Sequence, residues 1–164
     1  MILVAYASKH GGTEGIATAI AERLQERGLQ SVARPVDQVA GIDDADAVVL
    51  GSGIYAGSWI KDATSFAEQH AADLRKIPVW LFSSGPLGEQ VVDDEEQPRQ
   101  LGELRERLSP RDHRVFFGSL DRAKLSFPER MIVKAVKAPE GDFRDWDAIA
   151  GWADGIADQL EAAD

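Results

Sequence analysis

Ile2-Leu3-Val4-Ala5-Tyr6-Ala7-Ser8-Lys9-His10-Gly11-Gly12-Thr13 opens the chain, and its reading decides the fold. The first six residues are a near-continuous apolar run, the signature of a strand buried on both faces of a parallel sheet. From Glu14 the period changes: Ile16, Ala17, Ile20 and Leu24 recur at helical spacing, and Gly28 follows Arg27 as a stop. Between strand and helix lies a polar, glycine-containing turn. A turn of this kind aims free backbone N–H groups and the positive end of the helix dipole at one point, and the Ser8 and Thr13 hydroxyls can add donors. That point suits an anion. The spacing matches neither the nucleotide-triphosphate loop G-x-x-x-x-G-K-S/T nor the dinucleotide fingerprint G-x-G-x-x-G. An ordinary turn that binds nothing is the plain alternative.

Outward from this stretch, the 164 residues are the length of one domain, 1–164, and 44% hydrophobic composition provides for a substantial core. A first strand beginning at residue 2 leaves no room for a signal peptide, and no 18-residue apolar run occurs, so a cytoplasmic location is expected. With no cysteine, thiol catalysis, iron–sulfur ligation and thiolate zinc sites are excluded, and any redox chemistry has to come from a bound organic cofactor. His10, His70 and His113 are too scattered for a metal site, and His70 fits an ordinary helix position. A net charge of −10 argues against nucleic acid as a partner. The charge is uneven, however. Residues 111–137 hold 7 basic and 3 acidic side chains, whereas residues 138–164 hold 1 and 8.

Further strands are expected at Gln30–Val36, with Pro35 marking an edge, at Ala47–Gly51, at Val79–Phe82 and at Val115–Phe117. Helical spacing is expected over Ile60–Leu74, through Leu101, Leu104 and Leu108, and from Phe143 to Leu160. Alternation of this kind predicts an α/β fold: a doubly wound five-stranded parallel sheet in the order 2-1-3-4-5. Ligands bind such sheets at the carboxyl ends of the strands where the winding reverses. Strands one, three and four are neighbours in this order, so the loops after them, Ser8–Thr13, Gly51–Trp59 and Ser83–Gly88, should converge on one site.

Tyr6–Thr13, Gly51-Ser52-Gly53-Ile54-Tyr55-Ala56-Gly57-Ser58-Trp59 and Gly141-Asp142-Phe143-Arg144-Asp145-Trp146 together resemble flavodoxin-fold proteins. Within that group the chain is most similar to the menaquinone-dependent protoporphyrinogen dehydrogenases and their flavodoxin-domain relatives. The resemblance implies that Ser8, Lys9, His10, Gly11, Gly12 and Thr13 wrap the single phosphate of FMN. His10 stands where the flavodoxin loop Ser/Thr-x-Thr-Gly-x-Thr has its middle threonine. It further implies that Ser52, Gly53, Ile54, Tyr55, Ala56, Gly57 and Trp59 line the isoalloxazine ring, with Tyr55 the first candidate for its wall and Trp59 the second. Trp59 reads equally well as a helix-start residue packed on the core. In the third loop, Ser83, Ser84, Gly85, Pro86, Leu87 and Gly88 carry no aromatic where many flavodoxins place one. That leaves the outer ring face open to a stacked substrate, or the flavin loosely held.

The function so implied is that of an FMN-dependent oxidoreductase of the protoporphyrinogen dehydrogenase type, coupled to a quinone. A flavodoxin-type electron carrier serving a redox protein and a non-enzymatic phosphate-binding module are the alternatives. Phe127 to Lys137 reads as a short helix with Arg130, Lys134 and Lys137 on one stripe and Met131, Ile132, Ala135 and Val136 on another. Such a helix can rest peripherally on the inner face of an anionic membrane, bind a propionate-bearing porphyrin, or cover the sheet with its apolar side. No G-x-S-x-G elbow accompanies Ser52, Ser83 or Ser84, which are read as loop hydroxyls or flavin contacts, not nucleophiles. A response-regulator receiver would need an acidic pocket where Ser8 and Gly51 stand.

Overall fold

The apolar opening run forms β1 (Ile2–Ala7), fully buried along its length. The computed structural model describes residues 1–85, 98–135 and 141–163. β1 pairs in parallel with β2 (Ser31–Pro35) on one side and β3 (Ala47–Tyr55) on the other. Beyond β3 lie β5 (Val79–Ser84) and β6 (Asp112–Phe116), giving the parallel order β2-β1-β3-β5-β6. With the hairpin strand β4 (Ser58–Trp59) set aside, this is the expected 2-1-3-4-5 sheet. Pro35 sits on the edge strand, where its missing N–H breaks no interior ladder.

Alternate residues of each strand feed two separate cores, which is why the strands read as continuous apolar runs. Ile2, Val4, Tyr6, Val49, Trp80 and Phe82 pack under α1 (Gly12–Glu26) and α6 (Trp146–Ala162). Leu3, Ala5, Val48, Leu50 and Leu81 pack under α2 (Lys61–Gln69), α3 (Ala71–Leu74) and α4 (Leu101–Leu108). The acidic excess near the end of the chain is partly spent on α1. Arg23 forks onto Asp154 of α6 at 2.8 and 2.9 Å, and Arg27 reaches Asp158 at 2.6 Å.

Several elements depart from the periodicity reading. The stretch Gly51–Trp59 is not a loop: β3 runs on to Tyr55 and turns back through Ala56 and Gly57 into antiparallel β4. Both turn residues have positive φ, 49° and 79°, the signature of a tight two-residue hairpin that follows the natural strand twist. The expected helix Ile60–Leu74 breaks at His70, whose backbone leaves helical geometry while its ring tilts against Phe66 at 4.6 Å. The fifth parallel strand starts at Asp112, three residues before the apolar run, because its edge residues there face solvent. A small antiparallel pair, β7 (Ser119–Leu120) with β8 (Gly141–Asp142), was not legible at all. Between them lies α5 (Phe127–Ala135). It does not turn all its apolar residues inward: Phe127 is 75% and Met131 55% exposed. Val136 and Lys137, expected to continue that helix, lie outside the described residues.

Candidate functional site

The turn after β1 is built around Gly11, whose φ of +86° is the left-handed conformation that a side chain disfavours. Gly11 is the N-cap of α1, and no side chain caps the helix. A β-carbon placed on Gly11 would meet nothing within 4 Å, so the loop is open on that side. The Ser8 hydroxyl accepts the Gly11 N–H at 3.1 Å and holds the turn in shape. Thr13, in the first helical turn, is buried, and its Oγ1 lies against Gly53 of β3. Glu14, the acid of this first turn, is engaged by the Tyr6 hydroxyl at 3.3 Å. Uncapped helical N–H groups, an open left-handed glycine and a threonine hydroxyl are a donor set fitted to a phosphate.

β3 brings the second group to the same place. A β-carbon on Gly53 would lie 3.0 Å from Cε2 of Tyr55 and 3.2 Å from Oγ1 of Thr13, so this glycine is what lets the hairpin close onto the start of α1. Tyr55 stands half-buried between the two loops. The Lys9 ammonium sits 4.6 Å from its ring centroid, and His10 meets it edge-on at 6.4 Å. Burial, followed by the Glu129 carboxylate, pushes the Tyr55 phenol up to about 12, while a backbone hydrogen bond with Lys9 works the other way. Tyr55 is therefore neutral, and its face is an aromatic wall beside the anion cradle. Gly85, at the start of the third loop, packs on the backbone of Ile54 and against Gly118. Pro86, Leu87 and Gly88 lie outside the described residues.

Other expected site residues are placed elsewhere. Trp59 is 4% exposed and belongs to the core under α2–α4, its indole N–H donating to Ser83 Oγ at 2.8 Å. That burial takes it away from a ring-wall position and fits the core-packing reading. Ser52 is fully buried; its hydroxyl donates to the Gly53 carbonyl and accepts the Ile60 N–H at 2.9 Å, fixing the hairpin to the start of α2. Ser83 and Ser84 are likewise buried, and Ser83 also meets His113 Nε2 at 2.7 Å. Ser52 and Ser83 hold the walls together.

Three groups that the sequence reading did not assign to the site lie beside it. Glu129 of α5 hydrogen-bonds His10 Nε2 at 2.7 Å, joining the basic helix to the turn after β1 across 119 positions. Ser119 of β7 fills the space beside Gly12, its Oγ 3.0 Å from where a β-carbon there would lie. Arg144, forked onto Asp142 at 2.7 and 2.8 Å, lies against Gly15 and reaches the Gly12 carbonyl at 3.4 Å. Each contact is fixed by tertiary placement of the β7–β8 segment, and no local spacing encodes it.

The His10–Glu129 contact has a pH dependence with a definite sign. The His10 ring, then the Ser126 hydroxyl and N–H, hold the Glu129 carboxyl at about 2, below its ordinary 4.5. A lowered carboxylate stabilises above the unfolded value and loses that contribution as pH falls from about 4.5 to about 2. Acid in that window should release α5 from the phosphate loop, seen as faster hydrogen exchange at residues 9–13. Glu129→Gln should exchange fast already at pH 6; slow exchange there would show that this contact does not hold the loop.

The flavodoxin domain family profile matches residues 3–147 of the chain. Protoporphyrinogen IX dehydrogenase (quinone) of Escherichia coli strain K12 is 23% identical, with 94% of this chain and 93% of that protein aligned. A flavodoxin from the domain Archaea superposes with a TM-score of 0.67 at 14% identity, covering 98% of both chains. Rubredoxin oxygen:oxidoreductase from Desulfovibrio gigas superposes with a TM-score of 0.66 at 16% identity, over 98% of this chain and 36% of that one.

Proposed function

Because the chain belongs to the flavodoxin domain family, we propose that it binds FMN between the Ser8–Thr13 turn and the Tyr55 hairpin and acts as an FMN-dependent oxidoreductase. The observation that carries this is Gly53, which closes Tyr55 and Thr13 onto the uncapped start of α1, so that an aromatic wall and an anion cradle share one cleft. FMN, when bound, would supply reversible two-electron chemistry. The residues around it would do the holding. Backbone N–H groups of Gly12 and Thr13 and the Thr13 hydroxyl would bind the phosphate, and Tyr55 would stack on the ring. Ile54, Ala56 and Gly57 would offer hairpin backbone to the reactive edge, with Gly57 in the left-handed region where a peptide reorients at little cost. Gly85 would close the far side.

For the reaction, we favour two-electron oxidation of a porphyrinogen with quinone as acceptor. Two hydrogens leave the tetrapyrrole at each oxidation and reappear on the quinol. Support comes from the Escherichia coli relative and from α5, which carries exposed Phe127, Met131 and Lys134 beside the phosphate loop. Those side chains would meet a quinone-bearing anionic bilayer. No helix among the described residues is long and apolar enough to cross a membrane. The net charge of −10 favours a second reading, a one-electron carrier docking on a cationic protein.

Reconstitution with FMN followed by redox titration separates these. The expected result is a yellow protein that releases FMN on denaturation, is reduced in a single two-electron step and reduces a soluble quinone. Phe127→Ser combined with Lys134→Glu should abolish flotation with anionic vesicles while leaving FMN bound. Failure to bind micromolar FMN would return the chain to the phosphate-binding class. Two separate one-electron steps without quinone turnover would leave the carrier.

A further inference from the structure

His113 was read from the sequence as too far from the other histidines for a metal site, yet it ends a chain of two hydrogen bonds that begins at the Tyr55 hairpin. Trp59 Nε1–H of β4 donates to Ser83 Oγ of β5 at 2.8 Å, and Ser83 Oγ lies 2.7 Å from His113 Nε2 of β6. The direction of the chain follows from the donors. An indole N–H can only donate, so Ser83 accepts from Trp59. Among the described residues the Ser83 hydroxyl meets no acceptor besides His113 Nε2, so the arrangement that satisfies its buried proton has Ser83 donating to Nε2 and the ring proton on Nδ1. Ser83 is fully buried and cannot exchange either partner for solvent. The chain thus links residues of three strands, β4, β5 and β6.

We propose that His113 is a positioning residue for the FMN cleft: by accepting the Ser83 proton it fixes Ser83 Oγ under the Trp59 indole and so holds the hairpin that carries Tyr55. Trp59 pairs with Ile54 and Ser58 with Tyr55, so a displaced indole moves the aromatic wall directly. Among the described residues, the other hydrogen-bond anchors of the returning strand do not involve an ionisable side chain. The Trp59 N–H goes to Gln100 Oε1 at 3.1 Å, the Ile60 N–H to Ser52 Oγ at 2.9 Å, and the Gly57 carbonyl receives the Arg99 N–H at 3.0 Å. His113 is the anchor that protonation can undo. Burial and the Arg105 guanidinium of α4 keep its ring neutral down to about pH 4, against the pull of Asp112 beside it on β6. Asp112 itself is committed to Trp152 Nε1 of α6 at 2.9 Å and to the His113 backbone N–H. A protonated imidazole would turn Nε2 into a donor and leave the Ser83 proton without its acceptor.

This inference rests on the FMN reading only for its functional consequence, and the test separates the two. The full chain is compared with His113→Leu, which removes the acceptor, and His113→Gln, which returns one. In the apoprotein, the ¹⁵N–¹H resonance of the Trp59 indole should move with pH around 4 in wild type, shift at neutral pH in His113→Leu, and return toward the wild-type position in His113→Gln. With FMN, His113→Leu should bind about tenfold more weakly, as for loss of a buried hydrogen bond, and shift the flavin midpoint potential; His113→Gln should restore both. A folded His113→Leu protein whose indole resonance, FMN affinity and potential equal wild type overturns the inference and leaves the FMN reading intact. An indole that follows His113 in a wild-type protein that binds no FMN supports the positioning role and overturns the FMN reading instead.

Discussion

Gly51→Ala should lower the melting temperature by several degrees, the largest effect expected of any single methyl group in this chain. A β-carbon at Gly51 would lie 2.0 Å from Cζ and 2.2 Å from Cε1 of Phe82, its register partner on β5. The ring has nowhere to go. Phe82 is fully buried and wedged between Phe116 and Trp152, each with its centroid 6.2 Å away. Overpacking of a closed core costs about 1 to 3 kcal/mol and sometimes more, and a chain of this size loses roughly 2 to 4 °C per kcal/mol. Gly51→Ala combined with Phe82→Leu should recover part of the loss, because the two changes share one space. Thermal melts of both proteins decide the matter: a single variant that melts with wild type means that β3 and β5 do not pack as described.

The second large effect belongs to the phosphate cradle. Thr13→Ala should weaken FMN binding by about 1 to 3 kcal/mol, the usual range for a hydrogen bond to a charged group, or roughly 5- to 150-fold. Thr13→Ser keeps the hydroxyl and should stay near wild type. Lys9→Ala should cost less, since its ammonium rests over Tyr55 and can remain solvated. Quenching of FMN fluorescence on titration with each variant gives the constants. Equal affinities for wild type and Thr13→Ala would put the phosphate elsewhere.

Between them, these two glycine- and threonine-centred predictions show which parts of the molecule a linear reading can reach. The alternation of buried runs with helical stripes was enough for the sheet and its order, because burial on two faces forces apolar residues at every strand position. It was enough too for the glycine turn between β1 and α1, where a left-handed residue at a strand-to-helix junction is a local requirement. Trp59 shows the limit. Aromatic residues look alike in a sequence whether they face a ligand or a core, and only the return of β4 across β3 sent Trp59 inward and left Tyr55 at the cleft.

What the sequence determined by itself is therefore the short-range part: the periods of two and of 3.6, the glycine turn at Gly11, the edge proline and the absence of thiol chemistry. Tertiary structure alone decided which distant groups meet. Glu129 against His10, Ser119 against Gly12, Arg144 against Gly15 and His113 against Ser83 each join residues from separate elements. The physical reason is that hydrogen bonds and steric contacts act over a few ångströms in space. Local spacing reports the contacts made within one strand or one helix, whereas these partners are set by how β6, β7 and α5 come to rest beside strands that precede them by tens of residues.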